Sequence, residues 1–245
     1  MEEIKVNGIV LSSMTYKEND VLLHVFTPEI GQITCLLKGA KGAKAKLKWA
    51  SLPFCFCEWV LAKRGEFYVV TNASCYDTFF DITKNYDVYL ASSMMLEITS
   101  HIMKPNIIAE DVFFKLINAL KNIVYSDTNP LLIVIKYLLD ITVYLGYEPN
   151  FNTCDVCGMP IANDILLSYD THNFSCRTCC NGYGMLISRQ QYNMLKIIHN
   201  TSADKLSSIK TSDSVLMSLL NLLRFDLESI LEIKIKSFAP LVQNA

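Results

Sequence analysis

Four cysteines of the 245-residue chain stand at metal-ligand spacing. Cys154-Asp-Val-Cys157 and Cys176-Arg-Thr-Cys179 are two CxxC pairs with 18 residues between them, within the range of four-cysteine zinc sites. Each CxxC turn aims two thiolates at one ion, and a hairpin between the pairs completes a tetrahedron. Gly158 follows the first pair, where a knuckle needs unhindered backbone, and residues 165–169 and 173–175 have the composition of the hairpin strands. Four thiolates leave no open coordination position, so the expected cofactor is one structural Zn2+ held by Cys154, Cys157, Cys176 and Cys179. Cys180 is too close to Cys179 to face the same ion, and His172 is a spare ligand that four cysteines make unnecessary. A redox CxxC of the thioredoxin kind needs a single pair beside a βαβ unit, which this pattern lacks.

A second constellation is basic. Lys38, Lys41, Lys44, Lys46 and Lys48 place five lysines in eleven residues with no acid among them, and from Lys38 to Arg64 there are seven basic residues against one acidic, Glu58. Gly39, Ala40, Gly42, Ala43 and Ala45 between the lysines let the backbone come close to a ligand. The spacing is not GxxxxGK[ST], so a nucleotide-binding loop is not supported. Lysines alone contact phosphate charge rather than base edges, which points to sequence-independent binding of a nucleic-acid backbone. Trp49, Phe54, Phe56, Trp59, Phe67 and Tyr68 are candidate stacking groups, although alternation buries one face of a strand and assigns most of them to a core.

The elements that must position these groups are short strands and then helices. Residues 4–13, 20–27, 32–38, 54–62 and 66–74 are rich in β-branched and aromatic residues and bounded by turns such as Thr27-Pro28-Glu29-Ile30-Gly31 and Lys63-Arg64-Gly65. Five strands in so short a span suit a closed barrel, because closure removes the sheet edges. A five-stranded barrel of this size has the OB architecture, and the lysine run falls in its long third connection. Helical periodicity takes over at residues 86–103, 108–125 and 130–146, with Asn129 capping and Pro130 at the first position of the third helix. It returns at residues 188–200, where Ser188 and Gln191 form a capping-box pair, and at 212–235, where Val215, Leu216, Leu219, Leu222, Leu223, Leu227, Ile230 and Leu231 form one stripe. Residues 150–187 carry few apolar runs and are expected to bury little. The reading is thus an α+β multidomain chain: an OB-type nucleic-acid-binding barrel over 1–80, a helical body over 81–149 and 188–245, and a four-cysteine zinc finger inserted at 150–187.

Composition removes other classes. Apolar residues are 51% and charged residues 19%, too apolar for a disordered chain. Net charge is −2, so no protein-wide basic field exists and nucleic-acid contact needs a local patch. The most apolar stretch, 130–147, has Lys136 and Asp140 in its middle, spaced to pair on a helix face, and reads as a core helix rather than a membrane span. An acidic N-terminus without an apolar segment gives no secretory signal, which implies a cytoplasmic chain. Nine cysteines, an odd number, suit no closed disulfide framework. Cys35, Cys55, Cys57 and Cys75 sit in strand-like segments and are expected to be reduced core residues.

Five segments carry a family likeness: GIVLSS from Gly8, YKEND from Tyr16, FTPEIG from Phe26, LKGAK from Leu37, and LGYEP from Leu145 running into CDVCG from Cys154. In order and spacing, end to end, the chain resembles the RecO family of bacterial DNA repair proteins. The resemblance implies a recombination mediator with an N-terminal OB barrel, a helical body and a zinc finger. Such a protein binds single- and double-stranded DNA, anneals complementary strands without ATP, engages the C-terminal tail of single-strand-binding protein, and with RecR helps load the RecA recombinase. Lys38 and Lys41 match the family's basic residues after the third strand, and Cys154, Cys157, Cys176 and Cys179 match its zinc tetrad. Lysine stands here where the family often has arginine. The residues leave two other classes open: an RNA-binding OB and zinc-ribbon protein of the translation apparatus, and a zinc hydrolase or disulfide oxidoreductase. The enzymes need an open metal position or a reactive CxxC, and neither is visible, so no enzyme is expected.

Overall fold

A computed structural model describes residues 3–65, 67–161 and 164–237. They form two compact units, one running to Val124 and resuming at Ser237, the other Tyr125–Lys236. The expected helical segment 81–149 is therefore divided between them. The expected start of the fifth strand at Glu66, and residues 238–245 of the last helical segment, lie outside the described residues.

In the first unit, β1 (Glu3–Tyr16), β2 (Asp20–Thr27), β3 (Gly31–Leu37), β4 (Phe56–Arg64) and β5 (Phe67–Asp77) close into a barrel of order β1-β2-β3-β5-β4. All neighbours are antiparallel except β3 and β5. This is the five-stranded OB-type barrel expected from the sequence. The alternating side chains Val21, Leu23 and Val25, Ile33, Cys35 and Leu37, and Cys57, Trp59 and Leu61 fill its interior. β1 runs past its expected end because a bulge between Val10 and Ser12 lets one long strand pair with β4 and then with β2. The turn after β2 is locked by Thr27, whose hydroxyl donates to the Gly31 carbonyl at 2.8 Å and accepts the Ile30 N–H. Gly31 has φ +74, and a Cβ there would meet the Ile107 carbonyl at 2.6 Å, so only glycine lets the chain after the first helix lie on this turn.

Two helices belong to the same unit. Asn85 caps α1 (Tyr86–Ile102) by accepting from the Asp87 and Val88 N–H groups. α2 (Glu110–Tyr125) sets Phe113 edge-on to Phe26 and Phe56, with ring centroids 5.5 and 5.9 Å apart, which joins it to the barrel. Ser237 donates its N–H and hydroxyl to Glu97 of α1.

The second unit is built around α3 (Pro130–Tyr144), which is buried over most of its surface as a core helix should be. Asn129 accepts from the Leu131 N–H at 2.9 Å and Lys136 pairs with Asp140 at 3.2 Å, both as the sequence implies. A three-stranded sheet of order β7-β6-β8 follows, from β6 (Ile165–Ser168), β7 (Phe174–Cys176) and β8 (Gly184–Ile187). Then come α4 (Arg189–Asn200), with its Ser188–Gln191 capping box, and α5 (Asp213–Leu231). α5 stops four residues before its expected end, where Glu232 takes a left-handed conformation. Its buried face includes Asp226 and Glu228, polar positions that an apolar stripe does not reveal. No helix among the described residues is long and apolar enough to cross a membrane.

Candidate metal centre and nucleic-acid interface

The metal centre is assembled by two knuckles and a hairpin. After Cys154 the chain turns tightly, the Gly158 N–H donating to the Cys154 carbonyl at 2.9 Å, and Gly158 has φ +70. After Cys176 the turn repeats, with the Cys179 N–H on the Cys176 carbonyl at 3.0 Å. β6 and β7 pair with Ile165 opposite Cys176, which sets the second knuckle beside the first. The ligand atoms of Cys154, Cys157, Cys176 and Cys179 all lie within 4.8 Å of one another. A tetrahedron with metal–sulfur bonds of about 2.3 Å has sulfurs about 3.8 Å apart, so small side-chain rotations let the four close on one ion.

The chemistry of the donors agrees. Burial opposes ionisation of Cys154, but N–H groups of Cys157, Cys176 and Val156 donate to its sulfur and hold the thiol at about 6. The Cys179 thiol is pushed the other way by its hydrogen bonds to Cys176 and Cys157. Cys154 is thus poised as thiolate, and metal binding must take the proton from Cys179. The four cysteines could hold one metal ion. Cys180 stays outside the cluster.

The sequence understated how much this segment buries. Ile165, Leu166, Leu167 and Ser168 are all buried, and β8 is an unexpected third strand. Phe151 and Phe174 pack on Tyr192 of α4 with centroids 5.6 and 5.0 Å away. His172, in the β6–β7 turn, is no spare ligand: its Nδ1 lies 2.8 Å from Asp226 Oδ1 of α5, with Asp226 buried and His172 largely covered. Burial lifts the Asp226 carboxyl to about 6 even though the His172 hydrogen bond and charge oppose the rise. The finger is therefore anchored in the helical unit through an aromatic cluster and a buried polar pair.

On the barrel, Lys38, Lys41, Lys44, Lys46, Lys48, Lys63 and Arg64 are all exposed. The first five occupy the connection between β3 and β4. Its beginning is pinned to the β1–β2 turn: Gly39 N–H donates to Asp20 Oδ1 at 2.8 Å, Lys41 N–H to the Asn19 carbonyl at 3.0 Å, and Lys41 Nζ to Thr15 Oγ1 at 2.6 Å. Tyr16, exposed on that turn, carries Lys17 Nζ 5.4 Å from its ring centroid. The sequence reading passed over this pair; an aromatic beside a lysine in a hairpin turn was the available signal. Arg64, at the end of β4, pairs with Phe67 of β5. Lys63 pairs with Tyr68, and Tyr68 with Cys35. Lys38 stands three residues after Cys35, one residue past the end of β3, about 10 Å farther along the chain.

Most candidate stacking groups are structural. Trp59 is fully buried and donates its Nε1–H to the Gly8 carbonyl at 2.9 Å; Phe54 is also buried. Trp49 and Phe56 are half-buried, Tyr68 rests against the core at the barrel's end, and Phe67 is exposed. Cys35 and Cys55 are buried thiols pushed up to about 12 by burial, and Cys57 is buried and raised as well. They are protonated and inert at neutral pH. Cys75 is a correction: it is exposed, although it pairs with buried Cys57 and the two thiols share a hydrogen bond.

Comparison with known proteins covers both parts of the chain. Residues 1–79 match the family model for the Recombination protein O N terminal, and residues 83–238 that for the Recombination protein O C terminal. The DNA repair protein RecO of Caldicellulosiruptor saccharolyticus is 29% identical over 215 residues, 88% of either chain. One from Clostridium perfringens is 27% identical over 243 residues, 98% of either chain. That of Acetivibrio thermocellus is 28% identical over 218 residues, 88% of this chain and 87% of the relative. With its barrel and its helical, cysteine-bearing part both matched, the chain belongs to the RecO family.

Proposed function

We propose that this chain is a non-enzymatic mediator of DNA repair and homologous recombination. It binds single- and double-stranded DNA without sequence preference, with Lys38, Lys41, Lys44, Lys46, Lys48 and Arg64 on phosphates. It anneals complementary strands without ATP. It engages the C-terminal tail of single-strand-binding protein and, with RecR, helps load RecA onto coated strands in the bacterial cytoplasm, at the nucleoid. The observation that carries this reading is an exposed, acid-free lysine connection on a closed five-stranded barrel, in a chain with relatives named for DNA repair across its length.

The physical logic is short. Two complementary strands repel through their phosphates, and lysines that neutralise backbone charge lower that barrier while leaving base edges free. Pairing then supplies the driving force, so no nucleotide hydrolysis is needed. The metal in this reading is one Zn2+: four thiolates in a closed tetrahedral set suit it, and a closed set gives it a structural role. Residues 1–80 serve as the DNA-binding part and residues 150–187 as the finger within the helical body.

The test is annealing of complementary strands coated with single-strand-binding protein, with and without ATP, by purified protein and by a variant with the five loop lysines changed to glutamine. The expected result is ATP-independent annealing that the variant loses while keeping its fold and metal. Strict ATP dependence, or full annealing by the variant, overturns the mechanism. Matched RNA strands in the same binding assay separate DNA mediation from an RNA-binding role.

A further inference from the structure

A cavity of about 540 Å³ opens at the end of the barrel away from the lysine connection. Gln32 and Thr34 of β3, Lys63 at the end of β4, Tyr68 of β5 and Asn106 after α1 line it. Its walls are held firmly. The Gln32 amide nitrogen lies 3.1 Å from both the Ser100 and Met103 carbonyls, Gly31 bridges to Pro105, and the chain at Ile107 sits too close to Gly31 to admit a Cβ. Asn106 is held in the left-handed region with φ +63, a conformation that aspartate and asparagine tolerate and that costs free energy in most other residues.

The chemistry of the lining is selective. No described acidic side chain lines the cavity. Thr34, Lys63 and Asn106 make no side-chain hydrogen bond or ion pair with another described residue, so one cation and two neutral polar groups are left to a ligand. Tyr68 is half-buried, its inner side against the barrel core. A ring packed against the core has fewer rotamers to lose when something flat lies on it. An aromatic ring, amide and hydroxyl groups at its edge, a lysine at the rim and no carboxylate among the described lining residues together match a base with its attached phosphate.

We infer that this cavity is a nucleobase subsite, in which one unpaired base of a bound single strand stacks on Tyr68, with Lys63 on the adjoining phosphate and Thr34 and Asn106 at the base edge. The inference rests on the proposed single-strand binding and adds to it a contact that lysines cannot make. Lys38 stands three residues after Cys35, the Tyr68 partner, one residue past the end of β3 and about 10 Å along, so one oligonucleotide reaches both places. Phosphate contacts in the connection hold any strand; the cavity holds only a strand whose bases are unpaired and turned outward. A duplex, with its bases stacked inside, gains nothing here.

Fluorescence anisotropy tests this with a ten-nucleotide oligothymidylate and a ten-unit abasic phosphate chain of the same charge. The full-length protein is expected to bind the oligothymidylate at least about five-fold more tightly, the low end of one aromatic stack. Tyr68→Leu, which keeps apolar packing on the barrel, should erase that preference and leave the slope of affinity against salt unchanged; Asn106→Ala should reduce it. Because Tyr68→Leu could loosen the barrel, the unaltered protein is also crosslinked to a strand carrying 5-iodouracil, with attachment expected at Tyr68. Equal affinity for the two probes, or crosslinks confined to residues 38–48, overturns the subsite and leaves the proposed function standing. Binding of neither probe overturns the proposed function itself.

Discussion

The five lysines of the connection between β3 and β4 set a definite electrostatic expectation. All are exposed, and none forms an ion pair with a described residue; Lys41 donates to a neutral hydroxyl, so its charge is also available. Each lysine that neutralises a phosphate of a single strand releases about 0.7 counterion, so five contacts give a log–log salt slope of about −3.5 at most. Between 50 and 200 mM salt that slope corresponds to roughly a hundred-fold loss of affinity. Changing Lys38, Lys41, Lys44, Lys46 and Lys48 to glutamine keeps the backbone amides and the turn, including the Gly39–Asp20 bond that pins it. The variant is therefore expected to keep its melting temperature, bind more weakly at low salt, and lose up to about 3.5 from the slope, leaving only what Arg64 and Lys63 contribute. Lys41→Gln alone should remove about 0.7 from the slope. Anisotropy with a fluorescent oligothymidylate from 50 to 200 mM salt measures it. A variant slope equal to that of the unaltered protein would refute the reasoning and move the contacts to other surfaces, beginning with Lys17, Lys63 and Arg64.

Three further outcomes are expected. Chelation of the metal, or Cys176→Ser, should loosen residues 150–200 together, because Phe151, Phe174 and Tyr192 share one cluster; hydrogen exchange would report this while the fluorescence of Trp49 and Trp59, both in the barrel unit, stays unchanged. The Asp226 carboxyl rises from 3.8 to about 6 on folding, so the folded state holds its proton more tightly; the associated stability is present below about pH 4 and lost as pH rises through 6. Asp226→Asn removes that loss, so its stability relative to the unaltered chain should grow by about 2 kcal/mol from pH 4 to pH 7, measured by urea unfolding; a difference that stays constant with pH argues against a raised Asp226. Gly31→Ala should cost more than about 1 kcal/mol, from a positive φ and from a Cβ 2.6 Å from the Ile107 carbonyl, and a melting temperature unchanged within a degree would contradict it.

Much of this protein is decided by local sequence. Strands, caps and knuckles answer to nearest neighbours: alternation makes β2 and β3, Asn129 and Pro130 start α3, Ser188 and Gln191 start α4, and the CxxC spacing brings four thiols together. The lysine run is exposed because nothing in it favours burial. Other features depend on residues far apart in the chain. Cys75 is exposed while its cross-strand partner Cys57 is buried, a difference that alternation along β5 alone does not reveal. The finger's burial, and the role of His172, came from Asp226 some fifty residues later, a polar position on α5 that an apolar count passes over. The cavity at the barrel's end needs β3, β4, β5 and the chain after α1 in one place. Spacing along a sequence reports what neighbouring residues do to one another; burial of a polar group and the shape of a cavity are properties of surfaces that exist only once distant segments have packed.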